Sequence, residues 1–469
     1  MTLRMVKDMI MTNKFLTRRE FLARTAKASV AGGLASMGVF SHIKDAQAAS
    51  DFKALVCVYL FGGNDGNNLI VPLDTTRYTQ YQKVRGSVGL ALSTSAKTLL
   101  APRSSTLQAV TSPVNQAFAF HYGLPEIDAL YGQGKVAVVL NMGSLRQPLT
   151  KAQYSAGVGV PPQLFSHPDQ TLQNQAGTPA VAASGWGGRL VDLLGTGGHL
   201  DSVALNSGGL FIEGATVHGN LIPSDGSLYL SGLNAWPQSA SDARKAALQQ
   251  MLNASNSNIM AAAANKSLAN GVDLITDLQT MSTAGTVNTT FPGSTLGKQL
   301  KTVARLIKMR AAKGPGRQVY FVGMGGFDTH SQQQWTQWDN LVKVSQAMNA
   351  FYQAMGEIGC ANQVTSFTMS DFGRSFEPTS NGSDHAWGSH HLVLGGAVQG
   401  GLYGQFPDFT LGGQDDATGR GAWIPQISNQ QFGATLGRWF GASASMLDTQ
   451  VFKDELVNFP RRDLGFMGA

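Results

Sequence analysis

Ala54-Leu55-Val56-Cys57-Val58-Tyr59-Leu60-Phe61 runs straight into Gly62-Gly63-Asn64-Asp65-Gly66-Asn67-Asn68. Eight uninterrupted apolar residues are too few for a typical helix and show no polar alternation, so the run reads as a strand buried on both faces, as in a parallel sheet. The glycines and asparagines behind it make a tight turn. Working outward, similar runs recur at Val136–Leu140, Val319–Val322, Val364–Met369 and Leu392–Val398. Between them, Leu296, Leu300, Val303 and Ile307 stand at i, i+4, i+7 and i+11, and Trp338 to Met355 repeats apolar residues at helical spacing. Strands alternating with helices predict an α/β fold, a doubly wound, mostly parallel sheet with helices on both faces. One large domain is expected over 49–469. Within it, the charge-poor stretch of about 200–293, rich in Ser, Asn, Ala and Gly, reads as a cap-like insertion with a helix near Ala240–Ser267.

The 469 residues are 43% hydrophobic and only 14% charged, which excludes a disordered chain or a coiled coil. A net charge of +6 invites a nucleic-acid or membrane partner until the charges are located. Eight of the 35 Lys/Arg and three of the 29 Asp/Glu lie in residues 1–48, so the remainder is close to neutral and no nucleic-acid partner is indicated. Those 48 residues read as an export signal: the twin-arginine stretch Thr17-Arg18-Arg19-Glu20-Phe21-Leu22, a weakly apolar segment from Ala28 to Phe40, and the small-x-small site Ala46-Gln47-Ala48. The apolar segment is too short to span a bilayer. The expectation is therefore passage through the twin-arginine (Tat) translocase, cleavage after Ala48, and a periplasmic or secreted mature chain without a transmembrane anchor. The two cysteines, Cys57 and Cys360, are far apart and lack metal-ligand spacing, and Cys57 reads as a small core residue.

In open α/β sheets ligands bind beyond the carboxyl ends of the strands, so the residues directly following each apolar run carry the functional information. Here they repeat a chemistry. The first strand leads to Asp65, the Val319 strand to Gly325-Gly326-Phe327-Asp328-Thr329-His330, and the Val364 strand to Ser370-Asp371-Phe372-Gly373-Arg374. Gly382-Ser383-Asp384-His385-Ala386-Trp387-Gly388-Ser389-His390-His391 precedes the last strand. Taken singly, each segment is an ordinary turn or cap. Together they place Asp65, Asp328, Asp371, His330, His385, His390 and His391 around one rim. Mixed carboxylate and imidazole ligands suit one or two divalent ions, zinc or manganese first and calcium as an alternative.

The leader together with GGNDGNN, LFSHPDQ, SGWGGR, GGFDTH, SDFGR and GSDHAWG resembles a family of twin-arginine-exported bacterial proteins, a domain of unknown function grouped with the alkaline phosphatase and sulfatase superfamily. The resemblance covers essentially the whole mature chain. It implies metal binding by Asp65 at the first strand, by Asp328 and His330 at a later one, by Asp371 at the next, and by His385 as the final ligand. It also implies a departure, because Phe372 stands where a second ligand normally follows Asp371; His390 or His391 would then compensate or merely line the rim. The nucleophile implied is Ser166, in Leu164-Phe165-Ser166-His167-Pro168-Asp169-Gln170, at a helix start where the macrodipole helps an alkoxide. An N-cap serine without chemistry is the plain alternative. Gln170 replaces the arginine of the sulfatase maturation motif, which argues against formylglycine. Arg374 is expected either to hold an anionic oxygen or to pair with a structural carboxylate.

The function expected is an exported metal-dependent hydrolase of phosphate or sulfate esters acting on a small anionic substrate, with one firm metal and a second position near Asp65 and Asp371 that is weak, filled by His390 or His391, or empty. The alternative is a non-catalytic exported binding or assembly protein that keeps the fold with a degenerate metal site. No phosphate-binding GxxxxGK[ST] loop, GxSxG elbow or CxxC pair is present.

Overall fold

The computed structural model describes residues 52–90, 102–108 and 114–468, apart from short gaps at 181, 229–230, 234–235, 255–257, 312–315 and 454. The leader lies outside the described residues, as does its cleavage site. No helix among the described residues is long and apolar enough to cross a membrane.

The opening run is β1 (Phe52–Leu60), and its burial explains its composition. Ala54, Val56, Val58 and Leu60 face one core, and Leu55, Cys57 and Tyr59 face another on the opposite side of the sheet. With both faces covered, neither can carry polar residues. Cys57 and Cys360 are buried free thiols belonging to these two opposite cores.

Among the described residues, eleven further strands complete one sheet: β2 (Ile70–Pro72), β3 (Pro102–Gln108), β4 (Val114–Phe120), β5 (Val136–Gly143), β6 (Ser202–Leu205), β7 (Asn220–Ile222), β8 (Gly316–Met324), β9 (Val364–Ser370), β10 (Ser389–Gly395), β11 (Gly401–Tyr403) and β12 (Ile427–Ser428). Their order is β2-β4-β3-β11-β5-β10-β9-β1-β8-β6-β7, with β12 paired to β5. The block β9-β1-β8-β6-β7 is parallel throughout.

Helices cover both faces. On one side lie α1 (Pro125–Gly132), α2 (Ile259–Ala284), α3 (Thr295–Ala311) and α4 (Gln333–Ile358), which contribute Ile127, Leu278, Leu300 and Leu341 to the first core. On the other lie α5 (Trp186–Leu194) and α6 (Asn429–Phe440), contributing Trp186 and Phe432 to the second. The doubly wound, mostly parallel arrangement read from the sequence is therefore the architecture found.

Two departures matter for function. The stretch from about 200 is not wholly an excursion, because β6 and β7 extend the sheet itself; outside it stand α2 and a helix over Gln238–Asn253. More important, β10 runs antiparallel to both neighbours, β9 and β5. It therefore begins at the rim where β1, β8 and β9 end, in register at Leu60, Met324 and Ser370. It also starts earlier than the apolar run implied, taking His390 and His391 out of the loop and into the sheet.

Candidate metal centre

Three loops converge at that rim. Gly62 and Gly63 leave β1 with φ of +113° and +85°, a region closed to most side chains. A Cβ on Gly62 would lie 2.4 Å from the Asp328 amide nitrogen, and one on Gly63 would lie 2.5 Å from the Phe372 ring. The turn is thus pressed between the two loops that carry Asp328 and Asp371. Arg374, fully buried, ties them together: Nε donates to Gly63 O (3.0 Å), Nη2 to Gly62 O (2.7 Å) and to Asp328 Oδ1, and Nη1 to Ser383 O (2.7 Å). Nε, Nη2 and one hydrogen of Nη1 are thus engaged inside the protein. It positions Asp328 and has no fork left for a substrate anion.

Asp328 is the hub. Three imidazole Nε2 atoms surround its Oδ1: His330 at 3.1 Å, His385 at 3.4 Å and His167 at 3.5 Å. Each ring is held through its other nitrogen. His167 Nδ1 meets Asp371 Oδ2 at 2.7 Å, His385 Nδ1 meets Phe165 O at 2.8 Å, and His330 Nδ1 lies 3.4 Å from Asp384 Oδ1. An N–H on Nδ1 of His167 and of His385, where each ring meets an acceptor, would leave the Nε2 lone pair of that ring turned toward Asp328. His330 Nε2 and His385 Nε2 are only 3.0 Å apart, and His167 Nε2 is buried with no hydrogen-bond partner. Imidazole nitrogens crowded against one another and a carboxylate could hold a divalent cation, and His167, Asp328 and His385 bring three ligand atoms within 4.8 Å of one another.

The electrostatics agree. Burial drives the Asp328 carboxyl upward, but the hydrogen bond and charge of Arg374, with His330 and His167, outweigh it and hold the group below its ordinary value. Burial lowers the His385 ring below the ordinary imidazole value; the Phe165 carbonyl opposes this, and Arg374, His167 and His330 reinforce it. Asp328 therefore stays ionised and His385 neutral, the forms that ligate. Phe165 aims its carbonyl at His385 from a left-handed conformation, φ +70°, unusual for an aromatic residue.

The structure thus brings together Asp328, His330 and His385, with Asp371 one step behind. It does not bring in the others. Asp65 is buried with its oxygens committed to Asn67 (3.1 Å to the amide), Gln333 and the guanidinium of Arg85. An arginine twenty residues away in sequence takes the place expected for a cation. Neither strand histidine joins the group at Asp328, and His391 lines a small cavity with Asp371. His390 Nδ1 accepts from the Asn141 amide at 2.9 Å, and burial lowers its ring to about 3; burial likewise lowers His391 to about 4. Phe372 supplies no ligand but a wall, its ring 4.7 Å from His167 and 4.6 Å from His385.

His167 is the residue that sequence reading missed. It opens a helix, His167–Ala176, just after Ser166. A signal existed: Gln170 and Asn174, at i+3 and i+7 from it, are buried, so the face turned to the sheet is polar where packing alone would make it apolar. Ser166 is the N-cap residue, but its hydroxyl turns from the helix to donate to Asp169 Oδ2 at 2.5 Å.

A family model described as "Protein of unknown function (DUF1501)" matches residues 52–420. No curated protein matches the chain. Among solved structures, the chain is similar to the lipoteichoic acid synthase LtaP from Listeria monocytogenes, with 6% identity, 87% of this chain and 78% of that one covered, and a TM-score of 0.36. It is similar also to the PsFucS1 sulfatase from Pseudoalteromonas sp., with 11% identity, 92% and 73% coverage and a TM-score of 0.33. A third is the phosphonate monoester hydrolase of Agrobacterium radiobacter, with 9% identity, 83% and 74% coverage and a TM-score of 0.31.

Proposed function

Because the chain belongs to the DUF1501 family, whose description assigns no reaction, we propose from its own site that it is a metal-dependent hydrolase of phosphate or sulfate esters. The proposal includes export by the twin-arginine route to the periplasm or beyond. The observation that carries the reading is the convergence of three imidazole Nε2 atoms on Asp328. His167, His330, His385 and Asp328 would hold one cation, zinc or manganese, whose chemistry when bound is to neutralise charge on an ester oxygen. His330 and Asp328 are about half exposed, so the group is open to a small anionic substrate.

Ser166 stands next to His167 at the start of a ten-residue helix, where the dipole favours an anion. In the proposed step its Oγ bonds to phosphorus or sulfur, the ester oxygen leaves as an alkoxide that takes a proton from water, and the hydroxyl proton passes to Asp169. Water then releases the serine. Phosphate is preferred over sulfate because Gln170 replaces the arginine of the maturation motif.

A panel of aryl phosphates, phosphodiesters and aryl sulfates, assayed with zinc or manganese, tests this. The expected result is metal-linked turnover that Ser166→Ala lowers by at least ~100-fold, the scale of a lost catalytic group. Absence of turnover despite bound metal would favour the non-catalytic binding reading, which draws support from the commitment of Arg374 to backbone carbonyls. A titration gives a second prediction. With Asp65 neutralised by Arg85, the chain should bind one cation tightly and not two, and Asp65→Asn should lower stability while leaving that stoichiometry at one. Two equally tight ions would contradict the single-site reading.

A further inference from the structure

Behind the histidines, on the protein side of Asp371, lies a cavity of about 10 Å3 lined among others by Ser144, Gln170, Asn174, Asp371, His391 and Asn429. That is the space for about one water. Two of these residues carry a buried oxygen with no hydrogen-bond partner in the protein: Asp371 Oδ1 and Asn429 Oδ1. Both are acceptors. The orientation of the Asn429 amide is fixed by its neighbours, since its Nδ2 donates to Asn174 Oδ1 while Asn174 Nδ2 donates to the carbonyls of Ser370 (2.6 Å) and Asp371 (2.7 Å). The hydroxyls in the wall are spent elsewhere: Ser144 on Gln173 (2.8 Å), Ser370 on Leu60 O (2.5 Å) and Ser389 on Asn64 O (3.2 Å).

Two acceptors facing a one-molecule space need a double donor. A hard cation would demand six or more oxygens, far beyond the two left free. We propose that a single water binds in this cavity, donating one hydrogen to Asp371 Oδ1 and the other to Asn429 Oδ1, and that Asn429 is thereby a positioning residue for the metal centre. The chain of action is short. The water and the Gly62 amide (3.1 Å) fix the Asp371 carboxylate, whose Oδ2 takes the His167 Nδ1 hydrogen, and the His167 Nε2 lone pair is left facing Asp328. Outer partners of this kind set ligand orientation and basicity.

The inference rests on His167 as a ligand for its consequence but not for the water itself, and the test separates the two. A high-resolution crystal structure of the metal-free protein should show one peak within hydrogen-bonding distance of both oxygens, without anomalous signal after a rubidium soak. An empty cavity, or rubidium in it, overturns the proposal. In solution, Asn429→Leu should weaken zinc binding by ~10- to 100-fold, the usual loss for an outer-shell partner, and should shift the 15N tautomer signature of His167 in metal-free protein. An unchanged zinc affinity with an unchanged tautomer defeats the positioning role. If even the unmodified protein fails to bind zinc, the hydrolase reading fails, while the density and the tautomer still decide whether the water is there.

Discussion

Protein carrying His167→Ala loses tight zinc binding, with affinity reduced by more than ~100-fold, and with it any metal-linked turnover. The size follows from the geometry. Substituting an outer partner of a metal-bound histidine already costs ~10- to 100-fold, and His167 is an inner donor whose Nε2 has no partner in the protein and is backed at 2.7 Å by Asp371. Asp371→Asn, which keeps the shape but weakens the acceptor, should fall in the milder ~10- to 100-fold range. Isothermal titration with zinc, run on chelator-treated protein, reads both. Equal affinities for His167→Ala and the unmodified chain would remove His167 from the centre and leave Asp328, His330 and His385 as its ligands. The contrast matters because a merely packed histidine, lying 4.7 Å from Phe372, would on removal change stability and spare the metal.

The parts of this site that were legible in the sequence are those governed by local rules. A strand buried on both faces announces itself by unbroken apolar residues, and its carboxyl end tells where loops must gather; Asp328 and His330 followed from that alone. His385 followed from its loop, although the physical reason it reaches the rim is the antiparallel direction of β10, which periodicity does not encode. The same unseen direction and an early strand start put His390 and His391 inside the sheet. Asp65 illustrates another limit. Its carboxylate is neutralised by Arg85, at the end of a helix over Thr75–Arg85, with nothing in the sequence to mark it as a buried partner. Long-range ion pairs have no local signature, so the sequence does not reveal that the Asp65 carboxylate faces Arg85. His167 is hidden for a different reason: the polar helix face of Gln170 and Asn174 that it shares gains its meaning only from what it packs against.

The buried histidines that do not serve the centre have their own consequence, which is pronounced sensitivity to acid. Burial lowers His121 to about 3, His390 to about 3 and His391 to about 4, and the first two use Nδ1 to accept a backbone amide hydrogen at 2.9 Å, which a protonated ring cannot do. In the unfolded chain each returns to about 6.5. Above that value both states are neutral at these positions and the stability is intact. As pH falls below it, the unfolded chain takes up three protons that the native protein refuses, so unfolding gains ~1.4 kcal/mol per histidine for each pH unit until the native values are reached. Two units of acidification therefore remove roughly 8 kcal/mol, as much as the whole stability of many domains, about 5–15 kcal/mol. Denaturant unfolding of chelator-treated protein should show stability flat above pH 7, falling steeply between pH 6.5 and 4.5, with the chain unfolding before pH 4. His121→Asn places an oxygen where Nδ1 accepts the Gly123 amide but cannot take up a proton, and so should remove about a third of the slope. Stability that stays level from pH 7 to pH 5 would show that these rings titrate in the native protein, and that their burial does not hold them neutral.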